Sequence, residues 1–182
     1  MIEVYLVRHT SVGVEKGRCY GNTDVPLNDS FIQEAEIVKQ NLSKLLPFDR
    51  TYMSPLSRCV KLATYCGYAN SHKDNRIKEL NFGDWEMQLF SEIQDPNIQV
   101  WYNDFIHVRT TNGESFEDQY KRVSNFFDEI RSSYSNDNSV NRIAVFTHGG
   151  VLACANVYVN GIAPKDAFSS LAPYGSIKKM LL

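Results

Sequence analysis

Ile2-Glu3-Val4-Tyr5-Leu6-Val7-Arg8-His9-Thr10 begins as a nearly continuous series of apolar β-formers and stops at a cation, an imidazole and a hydroxyl. A run of this kind has the pattern of a short strand buried on both faces. Residues 143–146, Ile-Ala-Val-Phe, have the same character and stop at Thr147-His148-Gly149-Gly150. Residues 50–53 form a further strand candidate, and residues 177–182 a terminal one. Between them the spacing turns helical. Ala35, Val38, Leu42 and Leu45 occupy one helical face, with Asn28 or Asp29 as cap and Pro47 as stop. Ser54-Pro55 reads as the N-cap and first residue of a helix to about Cys66. A short helix is predicted over residues 100–105. Ser115 and Asp118 resemble a capping box ahead of the stripe Phe116, Tyr120, Val123, Phe127 and Ile130. Residues 67–80 and 132–141 read as polar and irregular, and an apolar helix follows Gly149-Gly150 to about Val159. Strands alternating with helices predict one α/β domain over residues 1–182, with a mostly parallel central sheet flanked by helices.

Composition narrows the function classes. At 43% hydrophobic, 182 residues supply an ample core for one domain and a thin one for two. Lys and Arg number 19 against 21 Asp and Glu, a net charge of −2, which argues against a nucleic-acid partner because that needs a basic face. Cys19, Cys59, Cys66 and Cys154 lack the spacing of a metal finger and read as reduced, buried thiols. No apolar run approaches the length of a membrane span, and the first residues carry no leader pattern. The expectation is a cytoplasmic protein with no membrane partner, no metal and no cofactor.

Both buried-strand runs end in a histidine. In an open α/β sheet, ligands bind beyond the carboxyl ends of the strands, so His9 and His148 are placed to face one crevice. Two satisfied core histidines are the plainer alternative. Ser54-Pro55-Leu56-Ser57-Arg58 adds a forked cation at a helix start, where free N–H groups and the positive helix end already favour an anion. Arg8 beside His9 offers a second fork. Each arginine alone reads as a surface residue; with the histidines they describe a compact cationic pocket suited to a phosphate.

At this point the chain resembles the histidine phosphatase, or phosphoglycerate mutase-like, superfamily. The resemblance rests on Val7-Arg8-His9-Thr10, Ser54-Pro55-Leu56-Ser57-Arg58, the segment from Glu79 to Glu86, Gly113-Glu114-Ser115 and His148-Gly149-Gly150, which occur in the family's order. It implies a phosphoglycerate mutase-like fold and a phosphohistidine mechanism. His9 would be the nucleophile, and Arg8, Arg58 and His148 would bind the equatorial phosphate oxygens. Glu79 would protonate the leaving oxygen and then activate water. A carboxyl must be protonated to act as the acid, and an apolar surround from Phe82 and Trp85 would favour that form. Arginines and histidines would supply the positive charge, with no metal.

Within the superfamily the resemblance is greatest to the α-ribazole phosphatase branch, through residues 17–27, Phe82-Gly83-Asp84-Trp85-Glu86 and Trp101-Tyr102-Asn103-Asp104. It implies a small phosphomonoester as substrate, α-ribazole 5′-phosphate in cobalamin assembly. Tyr20, Gly21, Asn22 and Gly149 would bind it, although residues 20–22 read equally as a glycine-punctuated loop. Met87 and Thr111-Asn112 depart from that branch, which usually has Gly after Trp-Glu and Pro-Gly before Gly-Glu-Ser. Tyr20, Phe82, Trp85 and Trp101 are either stacking partners for a flat base or core. Another small-metabolite phosphatase, a phosphoprotein phosphatase, a phosphoglycerate mutase or a non-catalytic phospho-ligand module are the alternatives, and a homo-oligomer is left open.

Overall fold

β1 (Glu3–Arg8) and β4 (Arg142–Thr147) are each buried from their second residue onward, and they lie side by side and parallel. β2 (Arg50–Met53) and β3 (His72–Lys73) extend the parallel set beyond β4, while β5 (Ile177–Leu181) closes the other edge antiparallel to β1. The order is β3-β2-β4-β1-β5. These elements come from a computed structural model that describes residues 1–134, 141–169 and 171–182.

Strand alternation sends successive side chains to opposite faces. Val4, Leu6, Ile143 and Val145 pack with Phe116, Val123, Phe127 and Ile130 of α4 (Phe116–Tyr134) and with Val151 and Ala155 of α5 (Gly149–Asn160). Val7, Ala144, Phe146 and Met53 face the other way, onto Ala35, Val38 and Leu42 of α1 (Phe31–Ser43) and Cys59, Leu62 and Ala63 of α2 (Ser57–Tyr65). α3 (Asn97–Asn103) lies outside this sandwich, where its Trp101 meets Trp85 and Ile93. The mostly parallel α/β architecture expected from the sequence is the one observed.

The boundaries differ in instructive ways. α1 has Ser30 at its N-cap position, not Asn28 or Asp29, because Asn28 accepts from the Asp29 N–H in the preceding turn. α2 starts at Ser57 with Leu56 in the N-cap position, not at Ser54. Ser54 instead continues the β2 ladder by donating its N–H to Phe146 O, 2.9 Å. Its hydroxyl is turned to His148. The exposed N–H of Ser57 is capped from another segment, by Asp24 Oδ1 at 2.9 Å. The Ser115–Asp118 capping box forms as expected, with N–H bonds of 3.0 and 3.2 Å in the two directions. α3 begins earlier than expected, after an Asp95-Pro96 turn. Residues 67–80, read as irregular, hold β3, a strand of two exposed residues with no periodicity to reveal it. Of the expected 132–141 loop, residues 132–134 belong to α4 and 135–140 lie outside the described residues.

Candidate active site

Three strand ends make the site. The β1–β4 register pairs Arg8 with Thr147, and the β2–β4 register pairs Met53 with Phe146. The residues that follow, His9, His148 and Ser54, are therefore brought together at the carboxyl edge of the sheet. The His9 and His148 rings meet edge to face, with centroids 5.2 Å apart.

His9 is 1% exposed and its Nδ1 lies 2.7 Å from Thr10 O. A carbonyl accepts only, so Nδ1 carries the proton and Nε2 keeps its lone pair. Burial, reinforced by Arg58 and then Arg8, pushes the His9 pKa down to about 3. His148 is fully buried, and burial with the same cations holds it well below the usual imidazole range. Its Nε2 shares a 2.7 Å hydrogen bond with Ser54 Oγ, and Cys59 Sγ lies 3.5 Å away. Both rings are thus neutral at pH 7, and the site's positive charge is carried by its arginines.

Arg58, the second residue of α2, is also fully buried. It donates to Gly21 O at 2.6 Å and Thr23 O at 3.1 Å, so the 20–24 loop and the start of α2 hold each other. A Cβ on Gly21 would stand 1.7 Å from Leu80 O, which explains the glycine by close backbone approach. Arg8 donates to Ala172 O and lies 4.1 Å from the ring centroid of Tyr174. Arg58 lies 5.6 Å from the Tyr20 ring, and the two tyrosine hydroxyls are bonded at 2.6 Å. The tyrosines form a roof: the Tyr174 ring also meets His9 at a tilt, with centroids 5.5 Å apart. The Nε atoms of Arg8 and Arg58 are buried with no hydrogen-bond partner among the described residues, donors left over for an anion.

Glu79 is gripped by three N–H groups. Oε1 accepts from Leu80 N and Gln119 Nε2, both at 3.0 Å, and Oε2 accepts from Gly150 N at 3.1 Å. Of the apolar surround expected for Glu79, Phe82 lines the same pocket, whereas Trp85 does not. Trp85 is buried elsewhere, bonded to Asp95 and packed on Trp101, and the carboxyl meets donors instead. Arg122 braces the strand of chain behind it, donating to Arg76 O and Lys78 O at 2.7 Å and Glu79 O at 2.9 Å while paired with Glu114.

Arg8, Tyr20, Glu79, Gln119, Gly149 and Tyr174 share the walls of one pocket of about 260 Å³, with His9 beneath the tyrosine roof. Gly149 lies against Arg8: a Cβ there would be 3.1 Å from Cζ. Asn22 is not brought to this pocket. Its N–H is bonded to Glu86, and it borders a separate recess beside Lys78 and Arg122. Phe82 lines the pocket, and Trp101 an adjoining cleft. Sequence reasoning missed Ser54 as the partner of His148, Gln119 as a holder of Glu79, and Tyr174. Gln119 carried one signal, a polar residue on the buried stripe of α4. Tyr174 carried only the resemblance of Tyr174-Gly175-Ser176 to the α-ribazole phosphatase branch, and no spacing tied it to the site. Met87 and Asn112, the two departures noted above, adopt φ of 67° and 56°, the left-handed region that favours glycine.

Among the described residues, no cluster of three or more His, Cys, Asp or Glu is placed to hold a metal ion, and no helix is long and apolar enough to cross a membrane.

Comparison with known proteins gives the family and the fold. An adenosylcobalamin/alpha-ribazole phosphatase of Escherichia coli K12 is 31% identical over 163 residues, covering 84% of this chain and 76% of that protein. Phosphoglycerate mutase-like protein 4 of Arabidopsis thaliana is 30% identical over 161 residues, 82% of this chain and 67% of that one. The crystal structure of the alpha-ribazole phosphatase from Shigella flexneri superposes with a TM-score of 0.85 at 26% identity, covering 98% of this chain and 89% of that one. The model of the histidine phosphatase superfamily, branch 1, matches residues 4–181. With two neutral histidines and two buried arginines gathered at the strand ends, the chain belongs to the histidine phosphatase superfamily, branch 1, and is a phosphatase.

Proposed function

We propose that the chain is a metal-independent phosphomonoesterase that works through a phosphohistidine on His9, and that its substrate is α-ribazole 5′-phosphate. One observation carries the mechanism: a buried His9, neutral, whose Nδ1–H is tied to Thr10 O, which leaves the lone pair on Nε2 in the field of Arg58 and Arg8. The lone pair attacks phosphorus in line. The P–O ester bond breaks, and protonated Glu79 delivers its proton to the departing oxygen. Thr10 O stabilises the positive charge that the ring gains. Arg8, Arg58 and His148 hold the equatorial oxygens, where negative charge resides throughout. In the second half Glu79, now a carboxylate, takes a proton from water. The hydroxide oxygen bonds to phosphorus, the P–N bond breaks, and its electron pair returns to Nε2. Gln119 and the Gly150 N–H keep the carboxyl in position for both transfers. Of the residues assigned to substrate binding, Tyr20 and Gly149 line the pocket, Gly21 sets Arg58, and Asn22 acts from outside through the Glu86 contact.

The substrate assignment is supported by the relatives that bear the alpha-ribazole phosphatase name. The test is phosphate release from α-ribazole 5′-phosphate with EDTA present, for wild type and His9→Ala. Release by wild type and loss in the variant are expected. Hydrolysis of p-nitrophenyl phosphate without hydrolysis of α-ribazole 5′-phosphate would overturn the substrate, and an active His9→Ala would overturn the nucleophile.

A further inference from the structure

Next to the catalytic pocket lies an apolar cleft of about 360 Å³, walled by Phe82, Trp101, Phe105, Phe116 and Phe168. Leu80, Phe82 and Phe168 border both cavities, so the two adjoin. Phe105, Phe116 and Phe168 meet one another edge to face at 5.4–6.0 Å, and Phe82 meets Trp101 in the same way at 6.3 Å. These contacts give the cleft fixed aromatic walls. The direction from catalytic centre to cleft is set by the chain itself. Glu79 precedes Leu80, the junction residue, whereas Arg8 and Arg58 lie under the two tyrosines. A proton donor to the leaving group must stand beside the departing oxygen. The departing alcohol therefore extends past Glu79 toward Leu80 and the cleft.

We infer that this cleft is the leaving-group subsite, and that it selects monophosphates whose alcohol carries a flat, uncharged, apolar ring system. The inference rests on the roles of His9 and Glu79 given under Proposed function. Apolar wall left open to water gains free energy when a ring covers it. A carboxylate or a polyhydroxyl chain placed there would lose hydration without finding hydrogen-bond partners. The charged residue among those lining the cleft is Lys165. Phosphorylated sugars and hydroxy acids are therefore poor occupants, and an aromatic ring a good one.

The test compares two esters of primary alcohols with similar leaving-group chemistry, 2-(2-naphthyl)ethyl phosphate and ethyl phosphate, by inorganic phosphate release. The ratio of their kcat/KM values is the readout, because both use the same catalytic groups. Wild type is expected to favour the naphthyl ester by roughly 10-fold or more, the scale on which apolar pockets discriminate. The gain should fall mainly in KM, since a ring held alike before and during reaction supplies uniform binding. In Phe168→Ala, at a residue already 39% exposed, and in Phe105→Leu the ratio should fall several-fold. Equal hydrolysis of both esters by wild type would overturn the cleft while leaving the phosphomonoesterase reading standing. A ratio that survives both substitutions would place the ring elsewhere and overturn it too. Failure to release phosphate from either ester, or from p-nitrophenyl phosphate, would remove the mechanism and the subsite together.

Discussion

Gly150 offers a way to displace the proposed acid without touching it. It is the second residue of α5 and donates its N–H to Glu79 Oε2 at 3.1 Å. A Cβ on it would stand 2.3 Å from Glu79 Oε1 and 2.8 Å from both polar atoms of the Gln119 amide. Ordinary contact begins near 3.4 Å, so in Gly150→Ala the carboxyl must retreat by about 1 Å. A displacement of that size costs on the order of 10²-fold in rate, or about 2.7 kcal/mol of barrier. The loss should depend on the leaving group. For ethyl phosphate, whose alkoxide needs the proton, kcat/KM should fall about 10²-fold; for p-nitrophenyl phosphate, whose phenolate leaves unaided, it should fall far less. Alanine favours a helix over glycine by up to about 1 kcal/mol, so a melting temperature near that of wild type would separate misplacement from unfolding. An equal fall with both esters, or none with either, would refute the reasoning.

Other outcomes follow from the same geometry. The His9 ring should show no titration by ¹⁵N NMR between pH 8 and 5, because its pKa lies near 3; a midpoint near 6.5 would contradict this. Unfolded histidines protonate near pH 6.5, so the unfolded chain binds more protons than the native one below that pH. Stability measured by urea unfolding should therefore fall as the pH drops from 6.5 toward 3. Ser54→Ala leaves the buried His148 Nε2 without its hydroxyl partner and should cost about 1–3 kcal/mol, read from denaturant midpoints; an unchanged midpoint would count against that bond. Tyr174→Ala opens the roof, so carbethoxylation of His9 followed by peptide mass spectrometry should be several-fold faster, with an unchanged rate counting against the roof. Met87→Gly should raise stability by about 1 kcal/mol by relieving a left-handed methionine, and a loss of stability would show that its side chain outweighs the strain.

The parts of this molecule legible in its sequence were those set by local periodicity. Residues 2–7 and 143–146 are mostly apolar because both faces of their strands are covered, and the residues that end them meet at the carboxyl edge of the sheet, where ligands bind in folds of this kind. The α4 capping box was equally local. What escaped depended on partners far along the chain. Ser54 looks like a helix cap in its own neighbourhood, yet Asp24 caps that helix and Ser54 serves His148, 94 residues away. Glu79 lies three and six residues before Phe82 and Trp85 in sequence, but folding turns Trp85 toward Asp95 and delivers Gln119 and Gly150 to the carboxyl. Asn22 sits next to Gly21, yet the chain bends there, its N–H is bonded to Glu86 and it borders a different recess.

The central claim is a phosphoryl group carried on Nε2 of His9. Wild-type protein mixed with substrate and quenched in alkali within milliseconds, where phosphohistidine survives, can be digested and mapped by mass spectrometry. The account expects a transient phosphoryl group on the peptide containing His9, formed before free phosphate and absent from His9→Ala. Phosphate appearing with no labelled peptide at any time, or a label on His148, would contradict it.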